Sequence, residues 1–518
     1  MVRGATVVDG GGGAGYRADI TIDDARIAAI TPARATTSGR RIDGDGLVLA
    51  PGFVDMHAHS ELALLVDPAH LAKVSQGVTC EVLGQDGLSY APVDDAVLTP
   101  IRQQLAGWHG DPPGLDWSWR SVAGYLDRLD AGIAVNACYL VPQGNVRAMV
   151  VGWDDRAPSG TEMDRMCALV ATGLAEGAFG LSAGLTYPPG MYAGTAELVE
   201  LCRVVAGFNG LFAVHHRSYG AGALAAYAEM VDLSRRSGCA LHFAHATLNF
   251  PVNAGRGGEL VALLDTAGEE GLDVTLDSYP YLVSSTTLAS LLPSWAATGG
   301  PDATLARLAD PTDRERIRVD VCERGSDGNH GVPVDWATIT ISGVRESALA
   351  GRVGRTMAAL GGFDAFVDLL VADRLGTTIM VHAGHEENVR AVLRYGGHLV
   401  GSDGLLVGAR PHPRAWGTFP RYLGHYVRDL GLLTVEECVA RMTGRAARRL
   451  GLRGRGFIRV GYAADLVLFD PVTVADTATY ESPRRQCTGI PYVFVNGVAV
   501  IADGRHTGAL PGRALRRA

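Results

Sequence analysis

An alternation limits the fold of this chain more than any other feature. Through its middle, short apolar runs at residues 53–59, 80–83, 137–140, 180–183, 211–214, 240–243, 274–276 and 399–401 alternate with helical patterns. Short apolar strands separated by helices predict a parallel sheet covered on both faces. About eight such units predict a closed (β/α)8 TIM-like barrel. The spacing breaks after Tyr281, where roughly a hundred residues pass before the last run. The stretch 282–376 is expected to be an insertion after strand 7, a lid or small subdomain. A further apolar run, 378–382, precedes the last strand.

The two ends of the chain have a different texture. Residues 5–8, 19–22, 457–460, 464–469 and 492–497 read as β-type runs with turns between, the last entering an Asn496-Gly497 turn. They predict one composite β-domain from residues 1–50 and 455–518, flanking a barrel over 51–454. The Gly10–Gly13 run is followed by no lysine in a phosphate-loop position and opens no helix, so it reads as a hairpin connection. A net charge of -9 gives no reason to expect nucleic acid. No run of about 18 apolar residues predicts a membrane span. The start lacks an apolar signal core, so a cytoplasmic protein is expected. The 8 cysteines lack paired spacing and read as buried small hydrophobes. Lys73 is the only lysine. It lies in a short helical pattern ending on Gly77 and reads as a surface residue.

Chemistry-bearing residues gather where the strands end. In a barrel, functional groups collect at the carboxyl ends of the strands. Here those ends carry His57 and His59, Asp86, His215 with His216 and Arg217, His245, Asp277 and Asp403. His57 and His59 are two apart, so in a strand both aim at one point and could share one metal ion. The plainer alternative is two ordinary polar residues leaving a strand. Similarly, His245 could be a satisfied core histidine, and Asp403 could cap a helix. By the same alternation His216 points away from His215, and His242 faces away from His245. Imidazoles and carboxylates at several separate strand ends favour zinc, one or two ions, over unrelated buried polarity.

The residues also resemble a known family. Pro51-Gly52-Phe53-Val54-Asp55-Met56-His57-Ala58-His59 is similar to the first-strand motif of the amidohydrolase superfamily. Within it, four segments resemble the N-acyl-D-amino-acid deacylase (D-aminoacylase) family: residues 180–190, Asp277-Ser278-Tyr279-Pro280-Tyr281, Gly401-Ser402-Asp403-Gly404 and residues 411–421. The resemblance runs through nearly the whole chain. It implies a barrel with a small β-sandwich domain, a zinc centre, and hydrolysis of the N-acyl amide of a small-molecule substrate. It implies that His57, His59 and Asp403 surround one metal position, that His215 and His245 hold the other, and that Asp403 is the general base. Two departures stand out. Gln85-Asp86-Gly87 replaces the family's Asn-Cys-Gly, so a carboxylate stands where a thiolate ligand is usual. Thr247 stands where the family often has a lysine for the substrate carboxylate. Arg217, two residues after His215, is then the candidate for that anion, with Tyr187, Tyr279 and Tyr281 as further hydrogen-bonding candidates. The carboxylated lysine that bridges metals in wider relatives is excluded here, which leaves Asp86 as the bridge. Loss of the lysine keeps a second reading open: a peptide, a lactam or another cyclic amide as substrate. A binding protein without catalysis is the third.

Overall fold

The computed structural model describes residues 1–33 and 41–517; residues 34–40, within the expected N-terminal β-region, lie outside them. The eight central runs form eight parallel strands. They are β1 Phe53–Asp55, β2 Val78–Leu83, β3 Asn136–Tyr139, β4 Gly180–Gly184, β5 Leu211–His215, β6 Ala240–Phe243, β7 Val274–Ser278 and β8 His398–Val400. Pairing runs β1-β2-β3, then through Val141–Pro142, which continues β3, to β4-β5-β6-β7-β8. The Met56 N–H donates to Val400 O at 3.0 Å and the Asp403 N–H to His57 O at 2.8 Å, closing β8 on β1. Nearly every strand residue is buried, as expected of strands packed on both faces. The helices between them start at side-chain caps. Asp94 accepts from the Val97 N–H before helix Asp95–His109, and Ser159 with Glu162 forms a capping box before helix Gly160–Ala175.

The termini meet in one nine-stranded sheet. Its centre pairs Val48–Pro51 with Leu466–Phe469 antiparallel and with Val2–Val7 in parallel. Val2, Ile20, Ile27, Leu49, Leu466 and Leu468 share its own apolar core. Because Val48–Pro51 leads straight into β1, this sheet fixes where the first strand enters the barrel.

Between β7 and β8 stands a separate unit. Val283–Thr287 and Ile339–Gly343 flank Thr378–His382 in an antiparallel sheet. Helices Pro301–Ala309 and Phe363–Ala372 pack on an independent core that includes Leu288, Leu308, Ile341 and Phe366. The run 378–382, which the sequence leaves outside the insertion, is therefore its middle strand. Among the described residues no helix is long and apolar enough to cross a membrane.

Lys73 overturns the sequence expectation. It is fully buried, and its Nζ lies 2.7 Å from both Asp55 Oδ2 and Glu81 Oε1, donating also to Ser402 Oγ at 3.0 Å. One ammonium thus joins β1, β2 and the segment just after β8. A helix of four residues carries too little pattern to reveal a buried face, and its acidic partners lie on other strands.

Candidate metal centre

Six side chains converge above β1–β8. His57 Nε2 and His59 Nε2 are 3.2 Å apart, and His215 Nδ1 and His245 Nε2 are 3.0 Å apart. Asp86 stands between the pairs. Its Oδ1 is 3.6 Å from His57 Nε2, 3.5 Å from His245 Nε2 and 3.9 Å from His215 Nδ1, while Oδ2 is 3.5 Å from His59 Nε2. Asp403 Oδ1 lies 3.2 Å from His59 Nε2 and 3.8 Å from His57 Nε2. All six residues are buried.

The backbone departs from regular strand to reach this arrangement. Strand β1 ends at Asp55, so His57 and His59 leave from the loop beyond it. Asp86, His245 and Asp403 have φ of 54°, 32° and 49°, in the left-handed region that non-glycine residues rarely adopt. These turns swing side chains toward the axis that strand alternation would point elsewhere. At Gly401 a Cβ would meet Asp277 Oδ1 at 2.4 Å, so only glycine lets β8 pass that carboxylate.

The donor set fits a divalent cation such as zinc. In each histidine pair two imidazole nitrogens face each other at hydrogen-bond distance, and Asp86 Oδ1 is buried with no hydrogen-bond partner. Only imidazole nitrogen and carboxylate oxygen converge, which is zinc's chemistry. Outer partners set the tautomers: His215 Nε2 is 2.6 Å from Thr186 Oγ1, and His245 Nδ1 is 3.2 Å from the Tyr219 hydroxyl. With those nitrogens engaged, His215 Nδ1 and His245 Nε2 are left facing the centre. Below, Asp277 Oδ1 accepts the His245 N–H at 3.0 Å, while Oδ2 lies 2.9 Å from His242 Nε2 and 3.8 Å from His57 Nδ1. His242 therefore supports the site through Asp277, contrary to the alternation argument, because β6 ends at Phe243.

Charge is unevenly held. Burial pushes the His57 imidazole down, but Asp86, Asp277 and Asp403 outweigh it and hold it well above its ordinary value. Burial instead prevails at His215, which is driven well below. Burial would raise the Asp86 carboxyl, yet His57 and His245 hold it well below the usual range. Asp403 is likewise depressed against its burial, chiefly by Arg414.

Arg414 was not among the residues the sequence singled out, although it sits in the 411–421 motif. Its fully buried guanidinium places Nη1 2.9 Å from Asp403 Oδ2 and stacks 4.4 Å over the Tyr279 ring. A cation inside an apolar, proline-rich motif was the signal. Trp108, Tyr219 and His330 were also missed. Each comes from a helix or loop whose approach to the mouth has no sequence periodicity.

A cavity of about 730 Å³, open solvent included, is lined by five of the six residues, His57 lying behind them. Tyr187, Thr247 and Tyr279 line it, as do Ser284, Asn329 and His330 from the insertion. Arg217 does not. Its Nε lies 3.0 and 2.9 Å from the two Glu229 carboxylate oxygens, and its Nη2 donates to Ala193 O at 2.6 Å. Strand β5 ends at His215, so a two-residue offset no longer keeps Arg217 on the same face. Tyr281 is also absent from the lining. Its hydroxyl is 3.5 Å from Asp476 Oδ2, and Arg421 stacks on its ring at 4.9 Å. His216 points away from His215, packing on Tyr219 and Tyr227.

A parallel barrel with imidazoles and carboxylates converging at the carboxyl ends of its strands defines a metal-dependent hydrolase class. The chain belongs to the amidohydrolase family, whose model matches residues 40–501. D-aminoacylase of Alcaligenes xylosoxydans xylosoxydans is 36% identical, with 100% of this chain and 97% of that protein covered. A crystal structure of D-aminoacylase superposes with a TM-score of 0.83 at 35% identity, covering 100% of this chain and 99% of that one. The N-acyl-D-glutamate deacylase of Bordetella bronchiseptica, complexed with zinc and a phosphonate mimic of the tetrahedral intermediate, superposes at 0.80 with 34% identity, covering 100% and 99%.

Proposed function

We propose that this protein is a zinc-dependent deacylase that cleaves the amide of N-acyl-D-amino acids or closely similar compounds to a carboxylate and a free amine. The observation that carries this reading is Asp86 standing between two histidine pairs, with an Arg414-paired Asp403 beside them. The full-length similarity to D-aminoacylase supports the amide as the bond cleaved. His57, His59 and Asp403 would hold one ion and His215 and His245 the other, with Asp86 shared. Zinc held by these residues would supply Lewis-acid chemistry that makes water a usable nucleophile near neutral pH. Asp403 takes the proton of the attacking water and returns it to the departing amine. Arg414 fixes Asp403 Oδ2, which leaves Oδ1 to face the histidines. Tyr187 and Tyr279, on the cavity wall, provide hydroxyls for the substrate, and Thr247 with Asn249 provides neutral hydrogen-bonding groups beyond His245. The eight free thiols suit a reducing, cytoplasmic compartment.

One observation favours a second reading. Among the described residues lining the cavity there is no lysine or arginine. A neutral amide, such as a peptide or lactam, would need none. A hydrolysis screen of D- and L-configured N-acyl amino acids beside neutral amides, with metal content measured on the same sample, decides between them. Turnover of the D-acids with zinc bound is expected. Turnover of neutral amides alone would favour the second reading.

A further inference from the structure

A second cavity adjoins the first. It has a volume of about 590 Å³, partly open to solvent, and shares Trp108, Tyr187 and Ser290 with the cavity over the metal centre. Its wall is built from Leu105 on helix Asp95–His109, Trp153, and Leu292, Ala297 and Leu375 of the insertion. Some polar groups on its lining are engaged, while Gln104 Oε1 and the indole N–H groups of Trp108 and Trp153 are buried without a partner. Gln104 Nε2 donates to Pro188 O, Thr304 Oγ1 to Gly300 O at 3.0 Å, and Ser290 Oγ to Thr287 O at 2.7 Å. The rest of the wall, Leu88, Leu105, Leu292, Ala297 and Leu375 with the ring carbons of Trp108 and Trp153, presents mostly carbon to an occupant. The first cavity carries more hydrogen-bonding side chains, with Thr247, Asn249, Asn329 and His330 on its wall.

The shared wall stands directly against the metal centre. Trp108 lies 5.1 Å from the His59 ring, Tyr187 lies 4.9 Å from the His215 ring, and the two meet edge to face at 4.8 Å. An N-acyl amino acid whose amide sits at the six ligands has two arms of unlike chemistry. The amino-acid arm carries a carboxylate and suits the cavity lined by amides and hydroxyls. The acyl arm is hydrocarbon and suits the cleft.

We propose that the cleft behind Trp108 and Tyr187 is an acyl-chain subsite, so that this protein prefers N-acyl groups longer than acetyl. The assignment rests on the deacylase reading above and adds the class of acyl group. Burying a methylene gains about fourfold in binding.

The test is a series of one D-amino acid carrying acetyl, butanoyl, hexanoyl and octanoyl groups, assayed on the zinc-loaded protein. The expected result is kcat/KM rising roughly threefold or more per added methylene until the cleft is full. Ala297→Phe, which narrows the cleft, should lower the octanoyl-to-acetyl ratio of kcat/KM at least tenfold. Ala289→Phe, on the same wall, serves if that variant does not fold. A flat or falling series with the acetyl compound still cleaved overturns the subsite and leaves the deacylase reading standing. A change in preference among amino-acid side chains, with the acyl series unaltered by Ala297→Phe, assigns the cleft to the other arm and also overturns it. No cleavage of any member defeats both.

Discussion

Two buried clusters of charge share the first strands of the barrel, and they differ in completeness. Around Lys73, Asp55 and Glu81 every charge meets an opposite one: Glu81 also lies 2.8 Å from His70, and Asp55 accepts the Ser402 N–H at 2.8 Å. Around Asp86 the imidazoles face each other, and a carboxylate oxygen has no partner. Burial is alike in both, so burial alone does not distinguish structure from site. Unmet electrostatic demand does. A buried group without a partner is costly and persists where a ligand supplies what is missing.

The largest effect is expected in the completed cluster. Lys73→Met strands two buried carboxylates and should lower unfolding free energy by about 3–5 kcal/mol in urea titrations. Stability within about 1 kcal/mol of the parent would mean that the ion pairs are not the anchor inferred here. Asp403→Asn probes the incomplete cluster and should act chiefly on turnover. Turnover should fall by about 10²–10⁴ with zinc still bound, and the melting temperature should drop as well because buried Arg414 loses its charge partner; retained turnover would remove Asp403 from its role as base.

Chelation is a milder perturbation. Stripping the ion should abolish activity and lower stability by about 2.7 kcal/mol for metal at a hundredfold excess over its dissociation constant, with zinc restoring both. An unfolding curve indifferent to chelator and to zinc would leave the six ligands with no cation to bind.

Acid acts on both clusters, since Asp86 and Asp403 are also held below the usual carboxyl range, and Glu81 reports on the completed one. Burial would raise the Glu81 carboxyl, but His70 and Lys73 outweigh it and hold it at about 2, below its ordinary 4.5. A depressed carboxyl stabilises the fold fully above its unfolded value. That contribution fades as pH falls from about 4.5 to about 2. Stability measured against pH should slope through this window, and Glu81→Gln should flatten the slope; an equal slope in the variant would place the acid sensitivity elsewhere. The smallest effect is expected at Arg217→Gln. With its guanidinium held by Glu229, KM for an N-acyl-D-amino acid should change less than about threefold, a shift of well under 1 kcal/mol. A tenfold rise would return Arg217 to the substrate.

By itself the sequence determined the eight strands, the joining of the two termini and the metal-ligating residue types. Each is local: an apolar run declares a strand, and a histidine or aspartate just past one declares a place near the mouth. Asp86 was legible because a carboxylate stood where the resembling family has a thiolate. Tertiary structure decided everything that depends on direction. Arg217 and His242 were misread because alternation holds only inside a strand, and both depend on residues beyond a strand end. The left-handed turns at Asp86, His245 and Asp403 re-aim side chains in ways no periodicity encodes. Lys73 looked exposed because its partners lie on other strands, and Arg414 went unnoticed because the irregular segment that folds it back onto Asp403 after β8 carries no periodicity. Pairing energy between buried charges is set by ångström separations in space, and spacing along a chain does not contain them.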